Sequence, residues 1–294
     1  MNNANGILLV IGAMAAFTLE DMFIKHLSVT VPTGQVMIVL GLFCALVFAA
    51  MAIVTRKPIF DSAAWQPLFV IRACTEAVGA LSFVTALSLV DLSTVAAVFQ
   101  AMPLVVTMGA ALFLREQVGW RRWSAIGVGF IGVLMIIRPG LDGFRPEALF
   151  VVASVIAIAA RDLITRRLDA RVASAVVALQ AYAAVAIAGG VLMLTSAQPL
   201  APLQMGQIGP YLGAVGFGVL GYLGIVTAMR VGEASALTPF RYTRLLFSIL
   251  AGMWMFGERP DLMTMIGASL IIGSGMYTFI RERRIARAMA PAVC

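Results

Sequence analysis

Ala86-Leu-Ser-Leu-Val-Asp91-Leu-Ser93 is answered 142 residues later by Ala228-Met-Arg-Val-Gly-Glu233-Ala-Ser235. Each stretch closes one apolar run, turns through an acidic residue and opens the next run. The following run ends on a glutamate in both copies, Glu116 and then Glu258, at the same offset. Five apolar runs fill each half of the chain. An odd number of crossings forces the second copy to enter a membrane upside down. Two opposed halves can rock around one central site, which is the architecture of secondary transporters.

Composition points the same way. The chain has 294 residues, of which 61% are hydrophobic and 12% charged. A soluble domain is about half apolar and a quarter charged. Runs of about 20 apolar residues match the helix length that crosses a hydrocarbon core of about 30 Å. The expected fold class is therefore all-α and polytopic, with ten transmembrane helices as two inverted five-helix repeats. Spans are expected near Gly6–His26, Thr33–Thr55, Pro67–Leu89, Ser93–Leu114, Arg122–Ile137, Ala148–Ile164, Val172–Ser196, Ile208–Met229, Ala234–Phe256 and Leu262–Ile280. The first repeat is read as residues 1–140 and the second as residues 141–294, ending in a short basic tail. Met1-Asn2-Asn3-Ala4-Asn5 has no basic segment and no small-residue cleavage site follows, so the first run reads as a retained span.

Basic residues divide unequally between the two faces. Arg56, Lys57, Arg115, Arg121, Arg122, Arg161, Arg166, Arg167, Arg171, Arg230, Arg281, Arg283, Arg284 and Arg287 fall on the side of the N-terminus. Only Lys25, Arg138, Arg145 and Arg259 fall on the other. Cytoplasmic loops are enriched in Lys and Arg, so both termini are expected in the cytoplasm, with the bilayer a bacterial inner membrane. The net charge of +7 is thereby a topology signal, and no nucleic-acid partner is expected. Cys44, Cys74 and Cys294 have the spacing of neither a disulfide framework nor a zinc site, and His26 is the single histidine. No metal and no cofactor are expected; the partners are a small-molecule substrate and the lipid bilayer, with the chain a monomer.

Two glycine patterns imitate a dinucleotide fingerprint, Gly127-Val-Gly129-Phe-Ile-Gly132 and Gly216-Phe-Gly218-Val-Leu-Gly221. Both lie inside spans rather than after a strand, where small residues let helix backbones approach. No G-x-S-x-G or H-E-x-x-H occurs, and no nucleophile, base and orienting acid come together, so an enzyme is not expected.

Ionisable residues inside spans carry the functional signal. Each costs about 2.5–3.5 kcal/mol at mid-membrane on insertion scales, so each faces protein or water. Glu20 and Asp21 lie in the first span, Arg72 and Glu76 in the third, Arg241 and Arg244 in the ninth. Arg72 and Glu76 are four apart and can pair on one helix face, as a structural ion pair or as part of a substrate site. Arg241 and Arg244 share one turn and cannot neutralise each other; they need Glu20 or Asp21 from across the bundle, or an anionic ligand. Adjacent residues diverge by about 100° around a helix, so either Glu20 or Asp21 is expected to point away from the bundle centre. Phe99, Gln100, Tyr182, Tyr222 and Tyr242 sit at depths that complete a binding pocket, and Gln180 beside them. Glu20, Asp21 and Glu76 are candidates to carry a coupling proton. Pro103 and Pro239 interrupt the fourth and ninth spans and are expected to act as hinges or kinks.

The stretch Thr238-Pro-Phe-Arg241-Tyr242, then Phe256-Gly257-Glu258-Arg-Pro260-Asp261, Gly267, Gly273-Ser-Gly275 and Arg281-Glu-Arg resembles the EamA branch of the drug/metabolite transporter superfamily. Ala101-Met-Pro103, Leu114-Arg-Glu116 and Arg72 form the weaker counterpart in the first copy. The resemblance covers nearly the whole chain. It implies ten helices in two inverted repeats, with spans three, four, eight and nine enclosing the cavity, and the transport of small organic solutes. Export of amino acids by alternating access is the leading expectation, with the aromatic amino-acid exporters one branch to consider. Import of a vitamin, a nucleoside or an S-adenosylmethionine-like cofactor is the alternative, and an integral membrane enzyme a remote one.

Overall fold

The computed structural model describes residues 3–116, 118–141, 144–165, 167–168, 171–196, 199–231 and 237–289. Glu233 to Ser235, where the second acidic turn and the start of the ninth span were expected, lie outside the described residues, as do Arg166 and Cys294. The crossings are Asn3–Leu27, Thr33–Val54, Pro67–Leu89, Leu92–Phe99 continued by Met102–Phe113, Trp120–Ile137, Leu149–Thr165, Ser174–Ser196, Met205–Val231, Thr238–Tyr242 continued by Thr243–Phe256, and Leu262–Met289. Among the described residues nine segments have the length and apolarity to cross a membrane, and the ninth crossing adds a tenth, shorter one. No strand occurs among them. The protein is thus an all-helical, multi-pass membrane protein.

The inverted repeat is visible in which helices pack together. The first span lies along the eighth and the third along the sixth, while the second pairs with the seventh and the fifth with the tenth. Exchanging each span of one half with its counterpart five positions on leaves this set of pairs unchanged. The ends of spans four and nine repeat the same turn. Arg115 and Gly257, 142 residues apart, are both left-handed, with φ 55° and 65°. The next N–H reaches back six residues in each copy, from Glu116 to the Ala110 carbonyl at 3.2 Å and from Glu258 to the Gly252 carbonyl at 3.0 Å.

Two contacts on the internal axis need glycine because backbone meets backbone. A Cβ at Gly132 would fall 2.6 Å from the Gly267 carbonyl oxygen, and a Cβ at Gly267 2.6 Å from that of Gly132. In spans two and seven, a Cβ at Gly41 would fall 2.5 Å from the Ala186 nitrogen. No side-chain rotation relieves these clashes. Gly41→Val is therefore expected to cost about 1–3 kcal/mol or more, read as a lower thermal midpoint and poor recovery of monodisperse protein in detergent. Gly12, which faces open space, tolerates alanine in the same assay.

Prolines act differently in the two related spans. Pro103 has no N–H to offer the Phe99 carbonyl, and the fourth span breaks there into two helices. Pro239 instead opens a tight 3-10 turn, Thr238–Tyr242, before the α-helix begins.

The largest apolar core lies toward the face opposite the N-terminus. It joins Ile24, Leu27 and Val31 to Val36, Leu87, Val90, Leu92 and Val95, and to Ile136, Ile137 and Val151. On the face carrying the N-terminus, the basic face, the clusters are smaller: Val10, Ala13, Met14, Ala228 and Leu237, and then Ala52, Ala64 and Val176. Spans four and nine touch through Leu92–Phe99 and Thr243–Phe256, toward the sealed face.

Candidate functional site

Two charge clusters sit inside the bundle, each tying helices from opposite repeats. In the first, Arg244 of span nine donates from Nη2 to the Asp21 carboxylate of span one at 2.7 Å. Asp21 is only 3% exposed. The Arg244 guanidinium is also ringed by Phe17, Phe83 and Phe99, with its Cζ 5.4, 5.7 and 5.5 Å from their centroids. Rings at that range attract a cation through their quadrupole. One helical turn away from the pair, the Thr18 and Ser248 hydroxyls meet at 3.4 Å. Spans one and nine are therefore stitched by an ion pair and a hydroxyl contact on adjoining turns.

The second cluster lies nearer the basic face. Arg161 of span six donates from Nη1 to Glu76 of span three at 2.7 Å and from Nη2 to its neighbour Asp162 at 2.7 Å. Arg72 lies 3.4 Å from Glu76 and donates from Nε to the Thr165 hydroxyl at 3.0 Å. The expected Arg72–Glu76 pair is present, but Glu76 makes its shorter contact to Arg161. Arg161 was expected among the loop residues that orient the chain; it lies within Leu149–Thr165 and turns inward. The sequence signal was there in Arg161-Asp162, adjacent opposite charges directly after an apolar run.

Other expected residues divide by where their helix faces point them. Glu20 and Asp21 both face protein, because span one has neighbours on two sides. Asp21 meets span nine, while the Glu20 carboxylate lies against Gly218 of span eight, 2.6 Å from where a Cβ would be. Tyr182 stacks on Phe48 at 5.6 Å, and Tyr222 meets the same ring edge-on at 4.9 Å. The Tyr222 hydroxyl donates to the Ser174 carbonyl at 3.1 Å. Phe99 packs edge-on with Phe83, and Gln100 is buried at the break of span four. Tyr242 is buried with its hydroxyl pressed on Gly275 of the tenth span, so its ring turns away from the charges. Gln180 is drawn off to the Ala64 carbonyl at 2.6 Å. Arg241 is exposed, inside a span.

These charges link helices across the bundle and keep part of their surface exposed. Side-chain exposure is 22% for Arg161, 16% for Glu76 and 18% for Arg244. Toward the opposite face, Glu258 ties the end of span nine to the start of span four. Its carboxylate accepts the Leu92 N–H at 2.6 Å, the Ser93 N–H at 3.0 Å and the Ser93 hydroxyl at 2.8 Å. Lys25 stands 3.4 Å from Glu258 and donates to the Val90 carbonyl. The start of a helix offers unpaired N–H groups and positive potential, which a carboxylate satisfies. Glu258 is 9% exposed because it caps the first turn of span four. Its repeat counterpart Glu116 is exposed. Beside the seal, Arg138 pairs with Asp261. Partial burial would raise the Asp261 carboxyl, but the Thr264 N–H and hydroxyl and the Arg138 guanidinium outweigh it and hold it below the usual aspartate value. No group of three or more metal-ligating side chains occurs among the described residues.

Residues 4–138 and 145–280 each match the EamA-like transporter family. The S-adenosylmethionine uptake transporter of Rickettsia conorii is 25% identical over 274 residues, 92% of this chain and 91% of the relative. The riboflavin transporter of Vibrio cholerae is 32% identical over 179 residues, 60% of this chain and 58% of the relative. The pseudopaline exporter CntI of Pseudomonas aeruginosa is 21% identical over 269 residues, 91% of this chain and 93% of the relative. A solved crystal structure, 19% identical, superposes with a TM-score of 0.61 over 96% of this chain and 99% of its own, which speaks to the fold alone.

Proposed function

Since the chain belongs to the EamA-like transporter family, whose members named above carry small organic metabolites, we propose that it takes up an organic cofactor by alternating access. The class of solute is that of S-adenosylmethionine or riboflavin, a heteroaromatic ring system with polar appendages. The observation that carries this is the grouping of charges and aromatic rings inside the bundle. Paired charges from spans one and nine, and nearer the basic face from spans three and six, stand in a bundle that also holds two groups of aromatic rings, Phe17, Phe83 and Phe99 in one and Phe48, Tyr182 and Tyr222 in the other. Such rings stack on flat heterocycles and contribute about 0.5–1.5 kcal/mol per pair beyond buried area. Amino-acid export, the leading expectation from sequence, gives way to the import alternative, because the relatives named for S-adenosylmethionine and riboflavin are more identical to this chain than the pseudopaline exporter is.

In this reading the two repeats divide near residue 140, the basic face is cytoplasmic and the conformation is open to the cytoplasm. Span four and span nine, joined toward the far face, would part there and close below to complete the cycle. Counterflow in proteoliposomes tests the reading. Preloaded unlabelled S-adenosylmethionine or riboflavin is expected to drive accumulation of the labelled solute, with saturation. Absence of counterflow for both solutes, in protein that remains monodisperse, would remove it.

A further inference from the structure

Past Glu258, at the far end of the bundle, a cavity of about 250 Å³ gathers Arg138, Arg145 and Arg259 with Asp91 and Asp261. Val90, Ile136, Ile137 and Ala148 also line it, and all four are buried members of the large apolar core. Asp91, Arg145, Arg259 and Asp261 are exposed. The cavity thus has an apolar floor and a charged rim. Arg138 is taken by Asp261, which also accepts the Thr264 N–H at 2.8 Å. The guanidinium groups of Arg145 and Arg259 have no hydrogen bond or ion pair among the described residues, and neither has the Asp91 carboxylate. Three guanidinium groups against two carboxylates leave a single positive charge. The rim also adjoins the seal on both sides. Arg259 directly follows Glu258, and Asp91 directly precedes Leu92, whose N–H Glu258 accepts.

We infer that this cavity binds a soluble organic acid with one carboxylate and an apolar body, and that its occupant holds the far face shut. Cations sharing one cavity repel each other, and an oxyanion among them answers both free guanidinium groups through charge-assisted bonds. One negative charge brings the rim to neutrality, whereas a second would be set against Asp91. The volume is several times the ~30 Å³ share of one water, so a bare inorganic ion leaves it unfilled. The apolar floor takes the body of the acid. A lipid phosphodiester also carries one negative charge, but its chains need an opening on the bilayer flank. Here the walls come from spans four, five and ten and from the turns before span six and after span nine. Residues up to Arg138 belong to the first repeat and those from Arg145 onward to the second. The lining is assembled only while the two repeats meet at this end, so a ligand of this cavity shifts the population toward the sealed state.

Titration calorimetry on the purified full-length protein in detergent tests this, with benzoate, its uncharged amide benzamide, sulfate and a short-chain phosphatidylglycerol as probes. Benzoate is expected to bind at least about tenfold tighter than benzamide or sulfate, the scale of a charge-assisted bond. Arg145→Gln and Arg259→Gln each weaken benzoate about tenfold. Neither guanidinium has a protein partner to orphan, so both variants keep the wild-type thermal midpoint. Asp91→Asn moves affinity the other way and tightens benzoate, because it removes the unpaired carboxylate on the rim. Coupling to the seal is read from Val95→Cys in a background without the native cysteines. Labelling from the far face by a membrane-impermeant maleimide slows about tenfold when benzoate stands at about ten times its Kd, since binding favours the sealed state by the factor 1 + [L]/Kd. Benzoate affinity unchanged in both arginine variants, or no better than that of benzamide, would overturn the site. Unchanged labelling at that occupancy would overturn its hold on the far face. Phosphatidylglycerol binding tighter than benzoate, and lost in the same variants, would make the occupant a lipid and overturn the soluble-acid assignment. Binding of none of the four would overturn the site, and cofactor uptake, read by counterflow, stands or falls separately.

Discussion

Arg244→Gln alone is expected to abolish transport and lower the thermal midpoint, whereas Arg244→Gln combined with Asp21→Asn recovers stability without recovering transport. The single change strands the Asp21 carboxylate, 3% exposed, in the middle of a span. Breaking a buried pair from one side costs about 3–5 kcal/mol, because the remaining charge stays desolvated. The double change removes both charges and keeps a side-chain amide facing a side-chain amide, so that cost disappears. Transport is another matter. The guanidinium is what the three phenylalanines surround, and an uncharged amide cannot reproduce their cation contact. Thermal unfolding in detergent and counterflow in proteoliposomes, measured on the two single variants and the double, separate the roles. Equal stability of the single and double variants would show that the pair is not a coupled unit.

The second large effect is expected at the seal. Glu258→Gln should open the far face. The neutral side chain keeps one acceptor oxygen for the N–H groups of Leu92 and Ser93, but it no longer balances Lys25, and it answers the positive end of span four with a weaker dipole. An increase in the open population by a factor of ten needs only about 1.4 kcal/mol, less than the loss of one charge-assisted bond at the upper end of its range. Val95→Cys reports this directly, since Val95 is 0% exposed in the sealed core. In a background with Cys44, Cys74 and Cys294 replaced, labelling by a membrane-impermeant maleimide from the far face should accelerate at least tenfold in Glu258→Gln. Glu116→Gln, at the exposed counterpart position, should leave Val95→Cys as protected as before. Unchanged labelling in Glu258→Gln would mean that the apolar core alone holds the face shut.

Glu116 and Glu258 differ in burial. The two glutamates end the same left-handed turn at the same offset, with the same backbone bond beneath them. One is buried on the start of a helix from the other repeat and the other is exposed.

Span number, span limits and the inverted repeat were legible in the chain, because crossing a bilayer leaves few choices. Backbone groups must pair within a helix and the helix must be about 20 apolar residues long, so hydrophobicity, turn residues and an odd repeat suffice. The in-span charges were legible for the same reason, since a charge is conspicuous in hydrocarbon. Their partners were not. Whether Arg244 met Glu20, Asp21 or a ligand, whether Glu76 belonged to Arg72 or to Arg161, and whether Tyr242 faced the charges or Gly275 depended on how each helix is rotated about its axis. Packing between spans sets that rotation, through contacts such as Gly132 on Gly267 that the local sequence does not encode. The inward turn of Arg161 and the capping role of Glu258 were therefore decided only when the helices came together.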